Sequence, residues 1–350
     1  MEDAKRKEQL NMLPFALLPW YRINGRSLPW REDPTPYHVW LSEIMLQQTR
    51  IEAVKPYYAA FLKEVPDIAA LADADPEKLH KLWEGLGYYS RVRNLQKAAQ
   101  KIMTEYNGSF PQAYEEILSL PGIGQYTAGA ISSICFQLPI PAVDGNVLRV
   151  LSRITADPRS VSEEKTKADV RKELSDVYPK EDAGNFTQAI MELGETVCVP
   201  NGIPNCGNCP CKTFCASCES GWENFPVKSA KKKRRIEQMS VFIIRCGDAV
   251  ALRKRGHSGL LSDLWEFPNI PGFSTTEEAT DQLLLWNCGT SRFLGVSEVN
   301  HVFTHVEWNM KCFRFSCEKM PEHFTWATQD MLTNAIALPT AFRKCLDNKE

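Results

Sequence analysis

The sequence predicts an α-helical region followed by a smaller α+β domain. Three observations carry that expectation. At 350 residues the chain exceeds the usual size of one domain, so two cores are expected. From residue 8 to about 197, apolar residues recur at helical spacing between Gly and Pro punctuation, with no convincing alternating run. Beyond residue 238 the rhythm changes to short strands. The expected divisions are residues 1–220, a basic linker over 221–238, and residues 239–350. The linker holds Lys228, Lys231, Lys232, Lys233, Arg234 and Arg235 between polar neighbours, and reads either as a solvated tether or as an additional phosphate contact.

Hydrophobic residues make up 43% of the chain and charged residues 24%, the balance of a globular protein. The formal charge is only −2, so any contact with nucleic acid must be local rather than a property of the whole surface. No apolar stretch approaches 18 residues, and the first twenty positions mix charge and Pro without a signal-peptide pattern. Neither membrane insertion nor export is indicated, and a cytoplasmic location is expected, nucleoid-associated in a bacterium. In a reducing compartment the twelve Cys should stay free of disulfides.

The first informative segment is His38–Leu46, apolar on nearly every face and therefore a buried helix. Glu43 is its only acid. A carboxyl in such surroundings is expected to have a raised pKa and to hold a proton near neutrality, unless a structural salt bridge claims it. Gln47-Gln48 ends the run, and Thr49-Arg50-Ile51-Glu52 has the form of a capping box opening the next helix.

Residues Glu115–Leu120 read as a helix end, and Leu120-Pro121-Gly122-Ile123-Gly124-Gln125-Tyr126 leads into another helix through Ile134. Gly122 and Gly124 allow a tight turn that presents N–H groups at a helix N-terminus, a helix–hairpin–helix pattern suited to a DNA phosphate. An ordinary turn between helices fits the same residues. Some twenty positions on, Asp144 stands before the apolar periodic run Val147–Ile154 as an N-cap, and its carboxylate is expected to remain ionised.

Six of the Cys fall between Cys198 and Cys218. Cys198-x7-Cys206-x2-Cys209-x5-Cys215 offers four thiolates on a Pro/Gly-rich loop, with Cys211 and Cys218 left over. Four Cys suit a [4Fe–4S] cluster, and zinc is the rival, although only one tight pair is present. In the second domain strands are expected at Met239–Cys246, Val250–Arg253, Trp265–Pro268 and around His301–Val306 and Lys311–Cys317, with helices at Thr275–Trp286 and near Leu338–Leu346.

One protonated and one ionised carboxyl are the parts needed to cleave a glycosidic bond, in sugars and nucleosides alike. Taken with Leu28-Pro29-Trp30-Arg31, Trp40–Thr49, Gly85–Arg91, Leu120–Ala130, Val143–Val147 and Met191-Glu192-Leu193-Gly194, these residues resemble the adenine DNA glycosylase (MutY) family of the endonuclease III helix–hairpin–helix superfamily. The resemblance covers nearly the whole chain. It implies a six-helix barrel with an iron–sulfur domain, then a Nudix-like domain that reads the lesion.

By that resemblance the protein is a monofunctional, monomeric base-excision enzyme acting on double-stranded DNA with A:8-oxoG or A:G mispairs. An extrahelical adenine sits in a pocket of Arg26, Leu28, Trp30, Arg31 and Gln188. Glu43 protonates adenine N7, Asp144 stabilises the cationic sugar, and Tyr126 and Asn146 support that network. Gln48, with Thr49 beside it, and Tyr88 contact the duplex and the lesion strand. Cys198, Cys206, Cys209 and Cys215 hold the [4Fe–4S] cluster. Bifunctional relatives place a Schiff-base Lys where this chain has Tyr126, which cannot form one. Leu260–Pro268 and Phe303-Thr304-His305 match the Nudix-like domain, without a Glu-rich hydrolase box. Two departures stand out: Thr304 replaces the usual Ser, and seven residues separate the first two cluster Cys where six is common. Other superfamily specificities, for T:G mismatches or oxidised pyrimidines, are the enzymatic alternatives, and a non-catalytic DNA-binding protein that uses the cluster as a sensor or scaffold is the alternative outside enzymes.

Overall fold

Helix signals dominate the first two hundred residues, and the computed structural model, which describes residues 2–218, 220–229 and 233–347, folds them accordingly. Two compact units emerge: residues 1–73 with 94–230, and residues 74–93 with 231–350. The first is all helix. Its helices are Glu2–Asn11, Leu13–Asn24, Pro29–Glu32, Pro36–Leu46, Ile51–Glu64, Ile68–Asp73, most of Ser90–Glu105, Tyr114–Leu118, Gln125–Phe136, Gly145–Thr155, Glu164–Ser175 and Ala183–Thr196.

Pro36–Leu46 begins where Thr35 accepts a hydrogen bond from the His38 N–H and Pro36 presets the first turn. Its residues from Tyr37 to Met45 are buried except His38, because neighbouring helices cover it on every side. Trp40 stacks edge-on against Phe110, with ring centroids 5.5 Å apart. A second core gathers Leu13, Leu17, Val147, Leu151, Phe186 and Leu193. Each such side chain contributes about 1.5–3 kcal/mol by leaving water.

The capping box expected at Thr49–Glu52 does not form. Arg50 occupies the N-cap of Ile51–Glu64 without a side-chain cap bond, and the Thr49 hydroxyl donates to the Gln47 carbonyl. The chain reverses at Gln48, whose φ of +59° consumes the residues that a box would need.

The second unit is built on strands β1 (Arg235–Cys246), β2 (Ala249–Lys254), β3 (Trp265–Glu266), β4 (Asn269–Pro271), β5 (Ser291–Val302), β6 (Val306–Cys317) and β7 (Thr325–Thr328). Their order is β3-β2-β1-β6-β5, with β4 paired to β1 and β7 to β2. The β1–β6 pair is parallel, Phe242 standing opposite Phe313 and Ile244 opposite Phe315. Successive side chains point to opposite faces, so Val241, Ile243, Met310 and Cys312 join one core with Phe342 of the Thr340–Asp347 helix. Phe242, Ile244, Phe313 and Phe315 join another with Leu283 of the Thr276–Leu285 helix.

Four expectations change here. The β5–β6 pair begins earlier in each strand than predicted, and Phe303-Thr304-His305 is the turn between them, where Phe303 N–H donates to Val306 O. Trp265–Pro268 yields only the two residues of β3 before the chain turns into β4. Of the stretch read as a linker, Arg235–Gln238 belongs to β1. Residues 221–229 belong to the first unit, with Val161 N–H donating to Val227 O (3.0 Å) and Arg153 over the Trp222 ring. Lys231 and Lys232 fall outside the described residues. Residues 74–93, inside the expected first domain, belong to the second unit, where Trp265 donates to Glu77 and Leu338 N–H to Glu84.

Candidate active site

Glu43 sits near the end of the Pro36–Leu46 helix with 7% of its surface exposed. Tyr126, in the first turn of Gln125–Phe136, donates its hydroxyl proton to Glu43 Oε2 at 2.7 Å. Burial pushes the Glu43 carboxyl up to about 7, against the pull of that hydrogen bond and with a further push from the Asp144 charge. The Tyr126 hydroxyl is itself held far above its ordinary value by burial and by the Glu43 and Asp144 charges, so it stays protonated. This agrees with the sequence expectation for Glu43.

Asp144 caps Gly145–Thr155, accepting from Val147 N–H at 2.8 Å and from Asn146 Nδ2 at 3.0 Å. The cap is as expected, but burial outweighs its hydrogen bonds and moves the Asp144 pKa upward. Asn146 also donates to Glu195 at 3.0 Å and accepts from Arg149 Nη2 at 2.9 Å. Arg149 continues to Gly194 O (2.8 Å) and, through Nε, to Cys198 O (2.9 Å). A Cβ at Gly194 would stand 2.9 Å from the Asn146 Cβ, so only glycine lets this helix run so close to the network.

The expected base-pocket residues divide between shape and charge. Leu28 and Trp30 are buried, and Trp30 meets Tyr58 edge-on at 5.3 Å. Arg26 and Arg31 converge on the wholly buried Glu192 carboxylate, Arg31 at 2.9 Å. Burial would raise the Glu192 pKa, but the Arg26 hydrogen bond and the Arg31 charge bring it below the ordinary carboxylate range. Gln188 lies one turn earlier on the same helix as Glu192. Glu192 stands in the Met191–Gly194 motif and Arg149 in the apolar run Val147–Ile154, but neither is among the expected site residues. Arg149 carried a signal in its i, i+3 spacing from Asn146. Glu192→Gln is expected to destabilise the protein by about 3 kcal/mol, since it strands two part-buried cations. A urea midpoint equal to that of the parent would contradict this.

Gly122 has φ +77° and Gly124 caps Gln125–Phe136, so the hairpin presents the open N–H groups of that helix. A Cβ on Gly122 would strike Asn94 at 2.6 Å. In the second unit, Tyr88, held at φ +46°, contacts the Thr304 hydroxyl through its own. Tyr88, Arg93, Phe303, Thr304 and His305 help line a cavity of about 730 Å³.

Cys198, Cys206, Cys209 and Cys215 line one small cavity of the first unit, together with Arg153 and Trp222. Cys211 is fully buried in the helical core against which Cys198, Cys209 and Cys215 also pack. Among the described residues no three His, Cys, Asp or Glu side chains gather around one point as a single ion requires. Arg153 Nη1 lies 3.4 Å from Cys198 Sγ, a cation suited to an anionic thiolate group.

Residues 41–180 match the HhH-GPD superfamily of base excision DNA repair proteins, and residues 240–348 match the NUDIX domain. Over 395 residues the chain is 34% identical to the adenine DNA glycosylase of Mus musculus, covering 94% of this chain and 76% of that one. The chain belongs to the adenine DNA glycosylase family. The family's Buchnera aphidicola (Acyrthosiphon pisum) member is 37% identical, covering 95% of this chain and 96% of its own. The fold is shared with a solved thermostable thymine-DNA glycosylase, with TM-score 0.54 and 24% identity over 61% of this chain and 96% of that one. Adenine DNA glycosylases are base-excision enzymes, and the protein is accordingly a DNA glycosylase with a helical HhH-GPD region and a NUDIX-like mixed sheet. Among the described residues no helix is long and apolar enough to cross a membrane.

Proposed function

We propose that the protein hydrolyses the N-glycosidic bond of adenine mispaired with 8-oxoguanine, or with guanine, in duplex DNA. The observation that carries this reading is the buried Glu43 carboxyl, raised to about 7 and joined to Tyr126 beside the capped Asp144. Tyr126 occupies Glu43 Oε2, which leaves Oε1 to deliver the proton to adenine N7. Protonation makes adenine a leaving group, and the C1′–N9 bond breaks toward an oxocarbenium-like sugar. Asp144 faces that cation, fixed by Val147 N–H and Asn146, and water completes the hydrolysis. Tyr126 has no amine, so no Schiff base forms and the abasic strand stays intact.

The adenine is flipped out of the stack into the pocket of Arg26, Leu28, Trp30, Arg31 and Gln188. The hairpin at Gly122 and Gly124 grips a phosphate. Gln48 and Thr49 meet the duplex, and the cavity around Tyr88, Phe303, Thr304 and His305 takes the 8-oxoguanine. In that cavity the Thr304 hydroxyl keeps the donor and acceptor that Ser would supply. Thr304→Ala is expected to narrow the preference for A:8-oxoG over A:G several-fold while leaving the A:G rate nearly constant. Single-turnover assays on both duplexes test this.

Cys198, Cys206, Cys209 and Cys215 would hold the [4Fe–4S] cluster, and their shared cavity with the Arg153 guanidinium at Cys198 fits that group. Bound there, such a group would be held by four thiolates of one loop and would cross-link that loop. The expected protein is brown. A panel of A:8-oxoG, A:G, T:G and thymine-glycol duplexes tests the reading: adenine release from the adenine mispairs is expected, with strand breakage only after alkali. Release from T:G or thymine glycol instead would overturn the substrate, and breakage without alkali would overturn the monofunctional assignment.

A further inference from the structure

Outside these sites the NUDIX-like unit carries three cysteines that meet at one end of its sheet. In the parallel β1–β6 ladder, Phe242 faces Phe313, Ile244 faces Phe315 and Arg245 faces Ser316. One rung further stand Cys246 and Cys317, the last residues of the two strands. Parity places both thiols on the face of Phe242 and Phe313, where Cys288 is buried beside them. Adjacent strands run about 4.8 Å apart, inside the Cα separation that a disulfide accepts. The two thiols pack in one apolar cluster, and the Cys317 thiol also lies 3.2 Å from Lys319 O. Exposure separates their roles. Cys246 is half-buried and reachable, whereas Cys317 keeps 9% of its surface and Cys288 none.

We propose that Cys246 and Cys317 form a reversible dithiol–disulfide modification site whose co-reactant is a small-molecule disulfide. The Cys246 thiolate attacks one sulfur of the oxidant, forming a mixed disulfide and expelling one small thiolate. Cys317 then attacks the Cys246 sulfur and expels the second small thiolate. The two protein thiols lose two electrons to the oxidant, and their two protons end on the two released thiols. Burial and the neighbouring Cys246 and Cys288 thiols push Cys317 up to about 12, which suits the second, intramolecular step better than the first. Cys312 and Cys345, also in contact on the opposite face, are both fully buried and serve as an internal control.

The test uses the full chain with glutathione disulfide as the oxidant, followed by alkylation of remaining thiols and peptide mass mapping. A Cys246–Cys317 linkage, 2 Da lighter than the dithiol and removed by reductant, is the expected result. Cys317→Ser should then leave Cys246 trapped as a stable glutathione adduct. Free alkylation of both thiols in the parent at oxidant levels that modify other surface cysteines would overturn the proposal. So would a linkage from Cys246 to Cys288.

Discussion

Glu43→Gln is expected to lower the single-turnover rate of adenine excision by about 10²–10⁴-fold, the range of a positioned general acid. Gln keeps the size of the side chain and can still accept from Tyr126, so the loss isolates the transferable proton. The parent's pH profile supplies the sign. As the proposed general acid, Glu43 would act in its protonated form, which prevails below its raised pKa of about 7. Above that pH the rate should fall tenfold per unit, and the variant should lack this limb. The same burial that tunes the acid disfavours its charge: raising a carboxyl from 4.5 to about 7 costs the fold about 3 kcal/mol once Glu43 ionises. That penalty is absent at low pH and grows as pH rises through the interval. Glu43→Gln should therefore be at least as stable as the parent at pH 8 while nearly inactive. Unaltered excision would remove the general-acid assignment.

Asp144→Asn is expected to cost about 10²–10³-fold in the same assay, the magnitude seen when a preorganised electrostatic partner of the transition state is lost. Asn is as good a helix cap as Asp, so the bond from Val147 N–H survives and the melting temperature should move little. The rate without the stability is the signature of charge stabilisation. A parallel collapse of both would mean that Asp144 acts only as a cap.

Much of the site was legible because burial leaves a strong mark on sequence. Glu43 stood out as one acid in an apolar helix, and Asp144 as a polar residue before a periodic run. The Asp144 pKa went the other way from the cap argument, since the number of atoms around a carboxyl is a property of packing from distant helices. Glu192 escaped notice for the same reason: its partners Arg26 and Arg31 lie more than 160 residues away. In the sheet, Met239–Cys246 was readable as a continuous apolar run because the strand is covered on both faces. The first half of β5 is an edge with exposed Phe293 and Leu294 and a register shift before Gly295, so its pattern resembled a loop.

The close passage at Gly194 has a consequence for how variants of this protein are judged. By chemical similarity, glycine to alanine is among the mildest exchanges. Here the added methyl would meet Asn146 and Arg149, two side chains that hold Asp144 in place. Gly194→Ala is therefore expected to displace Asn146 and Arg149, and by the proposed role of Asp144 to slow excision more than so small an exchange suggests.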